Sequence, residues 1–215
     1  MENKTTELVF ILDRSGSMAG MEADTIGGFN SMIEKQKKED GKAYVSTVLF
    51  SNDCRVLHDR VDVSEVKPLT EQDYTVSGST ALLDAIGGAI HHIGNIHKYA
   101  RPEDVPGHTV FIITTDGMEN ASRNYTSERV KEMIARQRDK YGWEFVFVAA
   151  DIDAVETGDR LGIRADRSFS YNKSKVGINN LYCCMSTVVS RVRNNEMLDE
   201  TAFKDLTQKD EKNHK

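Results

Sequence analysis

The chain has 215 residues, 39% hydrophobic and 29% charged, which suits one soluble α/β domain with a compact core. A net charge of −6 with no basic stripe speaks against nucleic acid, whose phosphates must be met by clustered Lys and Arg. The polar start and a first apolar run too short for a signal or membrane segment make the chain read as cytoplasmic, with no membrane partner.

The run Leu8-Val9-Phe10-Ile11-Leu12 is apolar at every position, as a strand covered on both faces must be, and predicts a central strand. It ends in Asp13-Arg14-Ser15-Gly16-Ser17, an aspartate followed by two hydroxyls at alternate positions. Ile26, Phe29, Met32 and Ile33 recur at three- and four-residue spacing, predicting a helix over 25–39. A strand over 44–50 follows, with a hairpin partner over 54–63 across Ser51-Asn52-Asp53. Residues 80–98 form an amphipathic helix on Leu82, Leu83, Ile86, Ile90 and Ile93, with Thr80 at its start. The next strand, 109–115, ends in Asp116-Gly117. Then come a helix over 127–141, a strand over 144–149, a short helix over 154–161 and a last strand over 167–170. Leu181, Cys184, Met185, Val188, Val189 and Val192 mark the apolar stripe of the last long helix. The domain therefore spans 5–195, and the mixed-charge residues 196–215 read as a disordered tail.

This alternation implies a doubly wound, mostly parallel sheet with helices on both faces. Ligand sites in such sheets lie outside the carboxyl ends of the strands. Asp13 and Asp116 both stand at such ends, and Thr80 starts a helix facing the same edge. Five side-chain oxygen ligands, Asp13, Ser15, Ser17, Thr80 and Asp116, therefore gather from segments about a hundred residues apart in sequence. Oxygen-only ligands suit hard divalent cations, Mg²⁺ above all, with Mn²⁺ or Ca²⁺ as substitutes. Singly, each piece has an ordinary reading: Asp13 as a cap, Ser15-Gly16-Ser17 as loop, Thr80 as a helix cap, Asp116-Gly117 as a turn. Together, on the ends of the right elements, they read as a metal site.

Asp13-Arg14-Ser15-Gly16-Ser17-Met18, the segment from Gly78 through Thr80 to Ile86, and Ile113-Thr114-Thr115-Asp116-Gly117 resemble, in order, the three motifs of the metal-ion-dependent adhesion site of von Willebrand factor type A domains. The resemblance covers residues 5–195. It implies a six-stranded sheet with one antiparallel edge strand, consistent with the 44–63 hairpin. It also implies that Ser15 and Ser17 are direct ligands, and that Thr80 and Asp116 exchange direct for water-mediated contact between closed and open forms. Its usual partner is a protein whose Asp or Glu carboxylate completes the metal coordination. Secreted relatives have cysteines bracketing the domain and this chain has none, which favours an intracellular scaffold or adaptor over an adhesion receptor.

The three cysteines, Cys54, Cys183 and Cys184, read as buried or half-buried free thiols, and no ligand spacing for zinc exists. His91 and His92 lie far along the Thr80 helix and read as surface or packing residues. Asp151 and Asp153 sit on the functional edge, more simply as helix-start carboxylates than as an acidic rim, and Asp84 has the same dipole rationale. Glu119 and Asn120 follow Asp116 closely enough to shape the rim. The reading is a Mg²⁺-dependent protein-binding module rather than an enzyme. The alternative is an aspartate-based phosphotransferase or phosphatase, which also places Asp and Mg²⁺ at strand ends. Ser15 stands where the haloacid-dehalogenase pattern needs a second acid, and no lysine pairing is visible in the sequence. A dinucleotide enzyme lacks its Gly-x-Gly-x-x-Gly motif.

Overall fold

A computed structural model describes residues 4–150 and 152–207. Its elements are β1 (Thr6–Asp13), α1 (Glu22–Gln36), β2 (Ala43–Phe50), β3 (Cys54–Asp62), α2 (Leu82–Tyr99), β4 (His108–Thr115), α3 (Ser127–Tyr141), β5 (Glu144–Ala149), α4 (Ala154–Leu161), β6 (Ser168–Ser170), α5 (Lys175–Arg193) and α6 (Lys204–Thr207). The six strands form one sheet in the order β3-β2-β1-β4-β5-β6. All pairings are parallel except β2 with β3, which run antiparallel at the edge.

Period-two alternation divides β1 between two cores. Leu8, Phe10 and Leu12 join the layer formed with α1 and α5, through Phe29, Met32, Leu181, Met185 and Val189. Val9 and Ile11 join the opposite layer, with Leu82, Ile86, Ile90 and Ile93 of α2, Val130 and Ile134 of α3, and Leu161 of α4. Each such side chain, fully buried, stabilises the fold by about 1.5–3 kcal/mol relative to exposure. The edge strand β3 is covered far less. Its charged residues Arg55, Asp59, Arg60 and Asp62 discourage pairing with another chain.

Three differences from the sequence expectation have physical causes. First, α1 begins at Glu22 rather than at residue 25, because Glu22 and Asp24 supply negative charge to the first turn and the Glu22 carboxylate accepts the Gly20 N–H at 2.7 Å. Second, the residues after α5 fold back. Leu198, Ala202 and Phe203 are buried, Phe203 stacks on Phe169 with ring centres 4.1 Å apart, and Arg191 pairs with Asp199 at 2.6 Å. Net polarity hid this short apolar spacing inside the expected tail; residues 208–215 lie outside the described residues. Third, Cys54 is exposed because it begins the thinly covered edge strand β3, whereas Cys183 is half-buried and Cys184 buried; none of the three is in a disulfide. Among the described residues, no helix is long and apolar enough to cross a membrane.

Candidate metal centre

The register of β1 and β4 sets the geometry. Leu12 lies opposite Thr114, so Asp13 emerges beside Thr115 at the common carboxyl edge. Asp13 is buried and both carboxylate oxygens are engaged. Oδ1 accepts the Ser15 N–H at 2.7 Å, and Oδ2 accepts the Thr115 hydroxyl at 2.6 Å. The phenol of buried Tyr74 donates to the Asp13 carbonyl. Burial raises the Asp13 carboxyl above its usual range; the Thr115 and Ser15 hydrogen bonds oppose this and the Asp116 charge adds to it.

Beyond Asp13 the chain turns through a 3₁₀ segment, Gly16–Met18. There the Ser15 and Ser17 hydroxyl oxygens lie 2.9 Å apart, and Ser17 donates to Asp116 Oδ1 at 2.6 Å. A continuous line of oxygens therefore runs from Ser15 through Ser17 to Asp116, ninety-nine positions beyond Ser17 in sequence. Ser17 is exposed, whereas Ser15 and Asp116 are buried. Arg14, inside the motif, is turned away toward Asp53 at 2.6 Å and the Thr75 carbonyl at 3.3 Å, so its charge serves the neighbouring loop.

Thr80 does not start its helix. α2 begins at Leu82, its cap residue is Ala81, and no side chain caps it. Instead Thr80 is clamped on both sides of its backbone by Asn120. The Thr80 N–H donates to Asn120 Oδ1 at 2.9 Å, and the Thr80 carbonyl accepts the Asn120 N–H at 3.1 Å. The preceding loop is tied to the Asp13 turn by Ser77 N–H to Arg14 O and Gly16 N–H to Gly78 O, both at 2.9 Å. Gly78 has φ +77°, a conformation that favours glycine, and a Cβ there would come within 2.8 Å of the Asn52 side chain. These ties bring the Thr80 hydroxyl to the site. A Cβ added at Gly117 would lie 3.4 Å from Thr80 Oγ1 and 3.6 Å from Ser17 Oγ. Gly117 thus lies within van der Waals reach of both hydroxyls, which places Thr80 Oγ1 and Ser17 Oγ around the same point of the loop.

The loop after β4 is held onto the start of α2 by two carboxylates. Glu119 accepts the N–H groups of Leu83, Ala121 and Ser122, and Asp84 accepts those of Arg123, Asn124 and Tyr125. Asp84 and Glu119 therefore act as loop clasps, a role that spacing alone did not distinguish from dipole or rim roles. Asp153 caps α4, accepting the Glu156 N–H at 2.9 Å. Asp151 lies outside the described residues. His91 and His92 are exposed, His92 against Asp59 at 2.7 Å.

One participant left no signal in the sequence. The Lys173 ammonium, from the loop between β6 and α5, stands 2.8 Å from Asp116 Oδ2. The approach is an ion pair without hydrogen-bond alignment, so Oδ2 remains a buried oxygen with no hydrogen bond. Among the described residues, no group of three or more His, Cys, Asp and Glu side chains is placed to hold a metal, so any cation here depends on hydroxyls beside two carboxylates. The donor chemistry fits a hard divalent ion: two buried carboxylates, three hydroxyls and, on Asp116, an oxygen without a hydrogen bond to which a cation is already drawn.

No family model matches the chain, and no curated protein does. Solved structures do match in fold. Proximal thread matrix protein 1 of the mussel byssus is 14% identical with a TM-score of 0.59, over 88% of this chain and 46% of that one. The paralog VWA2 of ArnB from Sulfolobus acidocaldarius is 15% identical with a TM-score of 0.53, over 84% and 44%. A von Willebrand factor type A protein from Catenulispora acidiphila is 14% identical with a TM-score of 0.53, over 85% and 42%. The chain spans less than half the length of each. With its sheet order and antiparallel edge, it has the von Willebrand factor type A fold.

Proposed function

We propose that this chain is a non-catalytic, divalent-cation-dependent protein-binding module. Asp13, Ser15, Ser17, Thr80 and Asp116 hold Mg²⁺ in this reading, with Mn²⁺ or Ca²⁺ as substitutes, and the partner is a protein offering an Asp or Glu side chain. The observation that supports it most is the line of oxygens from Ser15 through Ser17 to Oδ1 of buried Asp116, whose other oxygen, Oδ2, has no hydrogen bond. A bound divalent ion supplies a Lewis-acidic position that a partner carboxylate can fill.

The chain's own residues do the rest. Thr115 and the Ser15 N–H orient the Asp13 carboxylate, Asn120 fixes Thr80, and the Glu119 and Asp84 clasps hold the rim. Hydroxyls bring no charge, so the ion stays electron-poor toward the partner. The net charge of −6 opposes an acidic partner at long range, so attraction must be local to the ion. Mg²⁺ should stabilise the native protein by about 2.7 kcal/mol at a hundredfold excess over its dissociation constant. Thermal melts with Mg²⁺ and with EDTA, on wild type and an Asp13→Ala, Asp116→Ala double variant, test this. An equal response in both proteins would remove the basis for the site.

Lys173 beside Asp116 gives the phosphotransferase alternative one feature that the sequence did not reveal. The nucleophile of that alternative would be Asp13, however, and both of its buried carboxylate oxygens are engaged, by the Ser15 N–H and the Thr115 hydroxyl, so it is poorly placed to attack a phosphoryl group in line. The binding module remains the better account.

A further inference from the structure

On the reading that Asp13 and Asp116 help hold a divalent ion, we infer that Lys173 is a tethered competitor, a cation built into the chain that neutralises Asp116 until the ion displaces it. Two carboxylates are buried at this edge, and the charge of Asp116 bears on Asp13. Arg14, the nearest arginine in sequence, is committed to Asp53 and Thr75. The ammonium of Lys173 is the cation 2.8 Å from Asp116 Oδ2, the oxygen that lacks a hydrogen bond. An ion bound through that oxygen and an ammonium at 2.8 Å from it repel each other strongly, so their occupancies exclude one another.

The arm is positioned rather than loose. Tyr171 is buried, and its N–H donates to the Ala149 carbonyl at 2.9 Å. On the other side Ser174 caps α5, accepting the Gly177 N–H at 3.1 Å. Gly177 matters because a Cβ there would overlap the Asn172 carbonyl oxygen at 1.7 Å, so glycine lets the loop lie against the first turn of the helix. Both ends of the short loop are anchored, and its one long cationic side chain points at Asp116. The Lys173 side chain is 23% exposed, so the stem can swing the ammonium into water while the backbone stays in place. Withdrawal of Lys173 therefore accompanies cation binding, and the site's affinity is lower than its oxygens alone would set.

Calorimetric titration of the full chain with MnCl₂, comparing wild type with Lys173→Gln and Lys173→Met, tests this together with melts of each protein in EDTA. Removing the ammonium should tighten Mn²⁺ binding by about tenfold, an ordinary scale for coupling between two binding events. It should also lower the melting temperature in EDTA, and that difference should shrink in an Asp116→Asn background. Equal Mn²⁺ affinity in wild type and both variants overturns the role of Lys173 while leaving the metal site standing. Absence of Mn²⁺ binding in all three overturns both.

Discussion

Asp116 at the carboxyl edge of the sheet and Glu7 at its amino edge present the same problem with opposite solutions. Both side chains are 0% exposed, and each has one oxygen without a hydrogen bond, Asp116 Oδ2 and Glu7 Oε1. Glu7 is met by the Arg60 guanidinium at 2.7 Å and the His97 ring at 3.4 Å. Those partners are themselves locked. Arg60 sits at φ 49°, beside an irregularity in the β2–β3 pairing, with its guanidinium 4.7 Å from the Tyr44 ring centre, and His97 packs edge-on against Trp143. Asp116 is met, among the described residues, by the Ser17 hydroxyl and the half-buried Lys173. An orphaned buried oxygen is therefore no signature of a ligand site by itself. What separates the two edges is whether the compensating charge is fixed or replaceable, and whether neutral oxygens converge around it.

The largest effect should appear when each carboxylate is removed. Glu7→Ala leaves Arg60 and His97 without their carboxylate and should cost about 3–5 kcal/mol, whereas Asp116→Ala in EDTA takes one carboxylate from a lysine that is partly exposed and should cost less than about 1 kcal/mol. Urea unfolding midpoints measure both, and the reverse order would break the comparison. The next effect concerns Thr80. Thr80→Ala should weaken Mn²⁺ binding by about tenfold while costing only about 1 kcal/mol of stability, since Asn120 grips the backbone rather than the side chain. Calorimetry beside urea unfolding separates these; lost folding with unchanged ion affinity would make Thr80 purely structural.

The smallest effect is acid-dependent. Burial would raise the Asp84 carboxyl, but the backbone N–H groups of Arg123, Asn124 and Tyr125 outweigh it and hold the group below its ordinary value of 3.8. Because the folded value is depressed, its stabilisation is complete above 3.8 and is lost as pH falls through the lower folded value. Asp84→Asn should therefore cost about 1 kcal/mol at neutral pH and almost nothing in strong acid. Stability measured across that acid range would show a constant cost instead if the hydrogen bonds did not depend on charge.

The sequence by itself determined the central strands, because a strand covered on both faces must be apolar at every position, and 8–12 is. It also determined the hairpin, the order of helices and strands, and the segments on which Asp13, Ser15, Ser17, Thr80 and Asp116 stand, since each motif lies within a few residues of a legible strand end or helix start. Only the tertiary structure decided what those residues touch. The Asn120 clamp on Thr80 spans forty positions, the Glu7–Arg60 pair fifty-three, and Lys173 reaches Asp116 from a loop two strands away across the sheet. None of the three leaves a local periodicity, because Asn, Arg and Lys in loops or on an edge strand look like ordinary solvated residues until the parallel register brings distant loops to one edge. The same blindness hid Leu198, Ala202 and Phe203 among charges, for their burial depends on α5 and β6 being already in place to receive them. Local hydrophobic pattern records which face of an element is buried; which charge meets which carboxylate is recorded only in the register of strands that are far apart in the chain.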